Sequence, residues 1–128
     1  MSPTRPDWGR RNLRLLALFA PVLIAAGVGG LLLPPELSPM SGAVPYDVFH
    51  ILFGALGVTI VMARSARFAG LFNFGFGAID LYQAAAGVLG VFPAGLFALR
   101  PADHLVHLAL GVLLVGVGLR APAPIRAA

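Results

Sequence analysis

His50 and His107 each stand four residues before a glycine, Gly54 and Gly111, and each follows an aspartate by about one helical turn, Asp47 in the first case and Asp103 in the second. Residues three and four apart share a helix face, so each imidazole has a carboxylate within reach to orient it and a gap beside it where a neighbouring backbone can approach. Two rings held this way can act as polar contacts that lock helices together near the water interface. If they face one another across a helix bundle, they can instead ligate a haem iron or hold a pigment. A zinc or copper site needs a further strong ligand at that depth, and only the two aspartates are on offer, so no metal is expected. The other candidate is Asp80, which lies within the apolar run 68–92 with Gln83 three residues ahead of it and Asn73 seven behind. Asn73, Gly77, Asp80, Gln83 and Gly87 mark one small, polar helix face. A carboxylate near the centre of a bilayer costs roughly 2.5–3.5 kcal/mol on insertion scales, so that face has to point at other helices. Asp80 is then either a hydrogen-bonded neutral acid or a site for a proton or ion.

The elements that position these residues are helices in lipid. Of 128 residues, 59% are hydrophobic and 11% charged, against about 25% charged in an ordinary soluble domain. Apolar runs at 13–33, 46–64, 68–92 and 102–119 are each long enough to cross a hydrocarbon core about 30 Å thick. The expected fold is an all-α, integral-membrane bundle of four transmembrane helices. Pro21 predicts a kink in the first. Pro34, Pro35, Pro39 and Pro45 make the first connection a loop, and Pro93, Gly95 and Pro101 do the same for the last. Between runs two and three only Arg64-Ser65-Ala66-Arg67 remains, which requires an antiparallel hairpin. Asp47 and Asp103 are placed to cap the first turns of the second and fourth helices. Residues 1–12 read as a disordered cytoplasmic arm with Trp8 at the interface, and residues 121–128 as a cytoplasmic tail. The basic flank and apolar core at the start also resemble a secretory signal, but the run exceeds a signal core and three more follow.

All nine basic residues are arginines. Arg5, Arg10, Arg11, Arg14, Arg64, Arg67, Arg120 and Arg126 fall on one side of the expected bundle and Arg100 alone on the other, which puts both termini in the cytoplasm and predicts a bacterial inner-membrane protein. Arginines dispersed between apolar runs form no stripe for nucleic acid. The absence of Cys removes disulfides, thiolate nucleophiles and iron–sulfur ligation. No nucleophile–base set or phosphate loop is visible, so an enzyme is not expected.

A weak internal repeat links the runs. Ala25-Ala26-Gly27-Val28-Gly29-Gly30 matches Ala85-Ala86-Gly87-Val88-Leu89-Gly90, and the His50/Gly54 pair matches His107/Gly111. The chain therefore reads as two parallel helical-hairpin repeats, with Asp80 opposite Ala20. Gly27, Gly30, Gly54, Gly87, Gly90 and Gly111 are the expected sites of close helix packing.

At Asp47-Val48-Phe49-His50-Ile51-Leu52-Phe53-Gly54, Arg64 with Arg67, and Pro101-Ala102-Asp103-His104-Leu105-Val106-His107, the chain resembles the small bacterial four-helix membrane proteins catalogued as a domain of unknown function. It departs from them at Asp47, where that family favours Asn, and before Asp103, where an Asn is missing. The resemblance covers about residues 13–120 and implies a fold and a bilayer location without an activity. The expected function is a non-enzymatic structural or accessory subunit, packing in a larger membrane assembly or against itself. The alternatives are a small proton- or ion-coupled transporter using Asp80, and a haem- or pigment-binding subunit using His50 and His107. The partners expected are the lipid bilayer and other protein subunits.

Overall fold

The computed structural model describes residues 5–120; the expected tail at 121–128, with Arg126, lies outside the described residues. Every regular element among them is helical: α1 (Trp8–Leu32), a 3-10 turn (Pro35–Leu37), α2 (Val44–Met62), α3 (Ala66–Leu89), α4 (Ala94–Phe97) and α5 (Pro101–Gly118). Three of these, α1, α2 and α5, are long and apolar enough to cross a membrane. The α3 helix is 24 residues long, but Arg67, Asn73, Asp80 and Gln83 lower its apolar content.

Local chemistry sets the helix ends, and several differ from expectation. Residues 8–12 are helical, not part of a disordered arm, because the Asp7 side chain accepts the Arg10 N–H at 3.0 Å and caps α1. Asp47 does not cap α2, whose N-cap is Ala43 with no side-chain bond; it falls in the first turn, four residues on. Asp103 behaves as expected: it stands in the first turn of α5 and accepts the Arg100 N–H at 2.8 Å. Ser65 caps α3 by accepting the Phe68 N–H at 3.2 Å. The same helix stops at Gly90, which has φ +70°, a conformation glycine adopts at little cost. A Cβ there would meet nothing within 4 Å, so Gly90 is a C-cap and not a packing glycine.

The helices pack as two antiparallel pairs, α1 with α2 and α3 with α5; the short turn after α2 reverses the chain, but α2 and α3 touch only slightly and do not form the expected packed hairpin, because each has its close partner elsewhere. Gly27 lies against Asp47 and Ile51, Gly54 against Ala20 and Ile24, and Gly111 against Leu81 and the Gly77 carbonyl. The pairs meet along α1 and α3, where Leu16, Phe19, Ala20 and Leu23 bury themselves against Ala69, Phe72, Phe76 and, from α5, Leu114. The outer faces carry exposed leucines, valines and phenylalanines, including Leu18, Leu52, Phe68, Leu105 and Val112. An apolar exterior over a core with buried polar groups is the arrangement a bilayer stabilises and water does not.

Candidate functional site

Tyr46, in the first turn of α2, is the hub of the polar residues at the Pro-rich-loop end of the bundle. Its hydroxyl donates to Asp103 Oδ1 at 2.9 Å and lies 3.1 Å from His107 Nε2. The phenol has one proton, and the carboxylate takes it. His107 Nε2 must therefore carry the hydrogen of the second bond, and the chain runs in one direction, from His107 to Tyr46 to Asp103. Asp103 is fully buried and also accepts the Ser41 N–H at 2.9 Å in addition to the Arg100 N–H. It thus ties the loop before α2 to the start of α5. Ser41 adds a hydroxyl bond to the Phe97 carbonyl, and Arg100 reaches back to the Ser38 carbonyl at 2.6 Å.

His50 takes the other side of the same tyrosine. Its Nδ1 is 2.7 Å from the Tyr46 carbonyl oxygen. A carbonyl only accepts, so Nδ1 carries the proton and Nε2 keeps its lone pair. The two histidines are therefore opposite tautomers. The Tyr46 ring neighbours both, 4.2 Å from His50 and 5.9 Å from His107 by centroid. Iron ligation by His107 Nε2 would break its bond to Tyr46. Among the described residues no three His, Cys, Asp or Glu side chains converge as metal ligands.

The expected histidine–aspartate pairs thus take a different form. Asp103 acts on His107 through Tyr46 rather than directly, and His50 is bonded to the Tyr46 carbonyl, not to Asp47. Asp47, 2% exposed, leaves Oδ2 without a partner, as does His107 at Nδ1. Its carboxylate lies against Gly30, so close that any Cβ at residue 30 would overlap it. Gly87 is held in the same way against the His104 ring.

Asp80 and Gln83 are each 2% exposed, and Asp80 Oδ2 and Gln83 Oε1 have no hydrogen-bond partner. Both turn into the bundle, as the insertion cost requires. Asn73 does not belong with them. Seven residues along α3, about 10 Å away at 1.5 Å per residue, it joins a separate cluster at the arginine-rich end, where its Nδ2 donates to Asn12 Oδ1 at 2.9 Å and to the Asn12 carbonyl at 3.1 Å. Asn12 in turn donates to the Trp8 carbonyl at 2.9 Å and the Val117 carbonyl at 3.1 Å, which joins α1, α3 and α5. Trp8 closes this end, its ring carrying the guanidinium groups of Arg11 at 4.7 Å and Arg120 at 4.9 Å.

Sequence reasoning missed Tyr46 and Asn12. The signal for Tyr46 was its position one turn before His50, which puts both on one face. For Asn12 it was Asp7, a capping residue that brings Asn12 inside the first helix. Compared with protein-family models, with curated proteins and with solved structures, the chain matches none.

Proposed function

We propose that the chain is a non-enzymatic membrane protein of four spans, α1, α2, α3 and α5, built from two parallel hairpins with both ends on the arginine-rich, cytoplasmic side, and that it serves as a structural or accessory subunit. The observation that carries this reading is the direction in which its polar groups point. Tyr46, Asp103, His107, Ser41 and Arg100 bond to one another and to loop backbone, a clasp that fixes one hairpin against the other. The outward surface is left to apolar side chains. The hairpin repeat is supported by matching contacts: in the register that aligns Gly27 with Gly87 and His50 with His107, Asp47 aligns with His104, and the close approach of Gly27 to Asp47 has its counterpart in that of Gly87 to His104. The α3 helix counts as a span because Asn73, Asp80 and Gln83 are buried, which removes from lipid most of the polarity that its composition shows.

Gentle solubilisation from the native membrane, followed by size analysis and identification of co-purifying chains, tests the assignment. A stoichiometric partner or a defined oligomer is the expected result, and a clean monomer with no partner in mild detergent overturns it.

A second reading has its own observation. Asp80 Oδ2 and Gln83 Oε1 are buried without partners, and such groups inside a membrane mark proton or ion sites by default. On this reading Asp80 is the coupling residue. Proton flux into liposomes containing the purified protein should then fall with Asp80→Asn; an unchanged flux removes it.

A further inference from the structure

A cavity of about 320 Å³ opens between the end of α1, the loop at 33–43 and the first turns of α2. Its walls are mostly apolar, from Ala25, Ala26, Leu33, Pro35 and Met40, and its polar side chains are those of Ser38, Ser41, Tyr46, Asp47 and His50. Three of these five are already committed. Ser38 Oγ accepts the Met40 N–H, Ser41 Oγ donates to the Phe97 carbonyl and accepts the Ala43 N–H, and the Tyr46 hydroxyl serves Asp103 and His107. Two remain. Asp47 Oδ2 is buried with no partner, and His50, whose Nδ1 proton goes to the Tyr46 carbonyl, keeps the Nε2 lone pair. Both are acceptors, and a carboxylate held out of water calls for a positive charge. None is supplied from within. Arg100, the cation that reaches this loop from the start of α5, gives its Nη1 to the Pro35 and Ser38 carbonyls, and the one ion pair among the described residues is Arg10 with Asp7, at the opposite end.

We propose that this cavity is a binding site for a small organic cation, an alkylammonium whose N–H groups donate to Asp47 and His50 while its hydrocarbon part rests on the alanine, leucine and methionine walls. The volume is at the lower end of the range for small-molecule sites and fits an amine of a few carbons. Asp47 and His50 line the cavity from positions three apart on α2, so they share one face of that helix, and a few polar groups on an otherwise greasy wall are what fixes a ligand's orientation. Gly30 is part of the design: with any larger residue the Asp47 carboxylate could not keep its present seat beside the cavity. This inference goes beyond the accessory-subunit reading and does not depend on it, since a subunit and a coupled carrier could each hold such a ligand.

The test uses the full chain in phosphatidylcholine nanodiscs and saturation-transfer NMR with n-butylammonium, set against 1-butanol, its neutral counterpart, with empty nanodiscs subtracted. Saturable transfer to butylammonium and none to butanol is expected. Asp47→Asn, which keeps shape and loses charge, should weaken binding by at least about tenfold, the lower end for a lost charge-assisted hydrogen bond. Gly30→Ala should weaken it as well while leaving Asp47 ionisable. Equal binding of butanol and butylammonium, or no saturable binding of either, overturns the proposal in the unmodified protein, without reliance on any variant. Undiminished binding by Asp47→Asn overturns the assignment of the carboxylate.

Discussion

Tyr46→Phe removes one oxygen from the centre of the clasp and leaves the ring, with its edge contacts to His50 and Phe97, in place. Two buried groups lose a partner at once: Asp103 Oδ1, which accepts at 2.9 Å, and His107 Nε2, which donates at 3.1 Å. A hydrogen bond to a charged group contributes about 1.5–3 kcal/mol in water-soluble proteins, whereas polar contacts between membrane helices average about 0.6 and reach about 1.7 kcal/mol. Asp103 keeps its bonds from the Ser41 and Arg100 N–H groups, so its loss is partial; His107 keeps none, because Nδ1 is already without a partner. Together these place the expected destabilisation at about 1–3 kcal/mol. Reversible unfolding of the reconstituted protein in a detergent titration measures it, and a double-mutant cycle with Asp103→Asn isolates the coupling. If Tyr46 is the hub, the two changes are strongly non-additive. Additive losses, or a Tyr46→Phe effect below about 0.5 kcal/mol, the level of an ordinary surface substitution, would refute the clasp.

The opposite tautomers of the two histidines should appear directly in nitrogen NMR of the labelled protein: at neutral pH, His50 with its proton on Nδ1 and His107 with it on Nε2; the same tautomer at both sites contradicts the bonding pattern. Gly90→Ala should lower stability by about 1 kcal/mol, since φ there is +70°, and Gly90→Asn should recover part of it; equal effects at the two would mean that the loss has some other origin. Asn12→Ala should destabilise by about 1 kcal/mol, since it removes the side-chain bonds to Asn73 Nδ2 and to the Val117 carbonyl, while Asn73 Nδ2 keeps the backbone carbonyl of residue 12 and the Val117 carbonyl keeps the Arg120 N–H. Little change in its unfolding transition would show that the arginine-rich end is held by the Trp8 contacts instead.

Much of the architecture was legible because it rests on local rules. Apolar runs bounded by proline clusters give helices, and Asp103 three residues into a helix caps it. Gly27, Gly54, Gly87 and Gly111 were readable as close-packing sites because their spacing repeats. What eluded sequence reasoning was pairing across long separations. Nothing near Tyr46 announces that its hydroxyl will meet Asp103, 57 residues away, and a histidine with an aspartate one turn earlier looks like a pair until the third residue that links or separates them is known. Asn73 was grouped with Asp80 by face, correctly, but helical rise carried it to the other end of the bundle, where Asn12 waited in a segment that composition alone marks as a polar arm. Gly90 shared the repeat's pattern and still did another job, because a helix stop and a packing glycine use the same residue for different reasons.

The Asn12 to Val117 bond brings the beginning of the first long helix against the end of the last, and Trp8 with Arg120 extends that seam by another turn. The described chain is thus nearly a closed ring interrupted at one place. A short linker joining residue 120 to residue 7, which keeps the Asp7 cap, with new ends opened in the turn at 63–65, would preserve every helix and each of its close pairings while changing their order of synthesis. The hairpin made first would then be α3 with α5, and the fold would become a means of asking whether either half inserts and holds its shape before the other arrives.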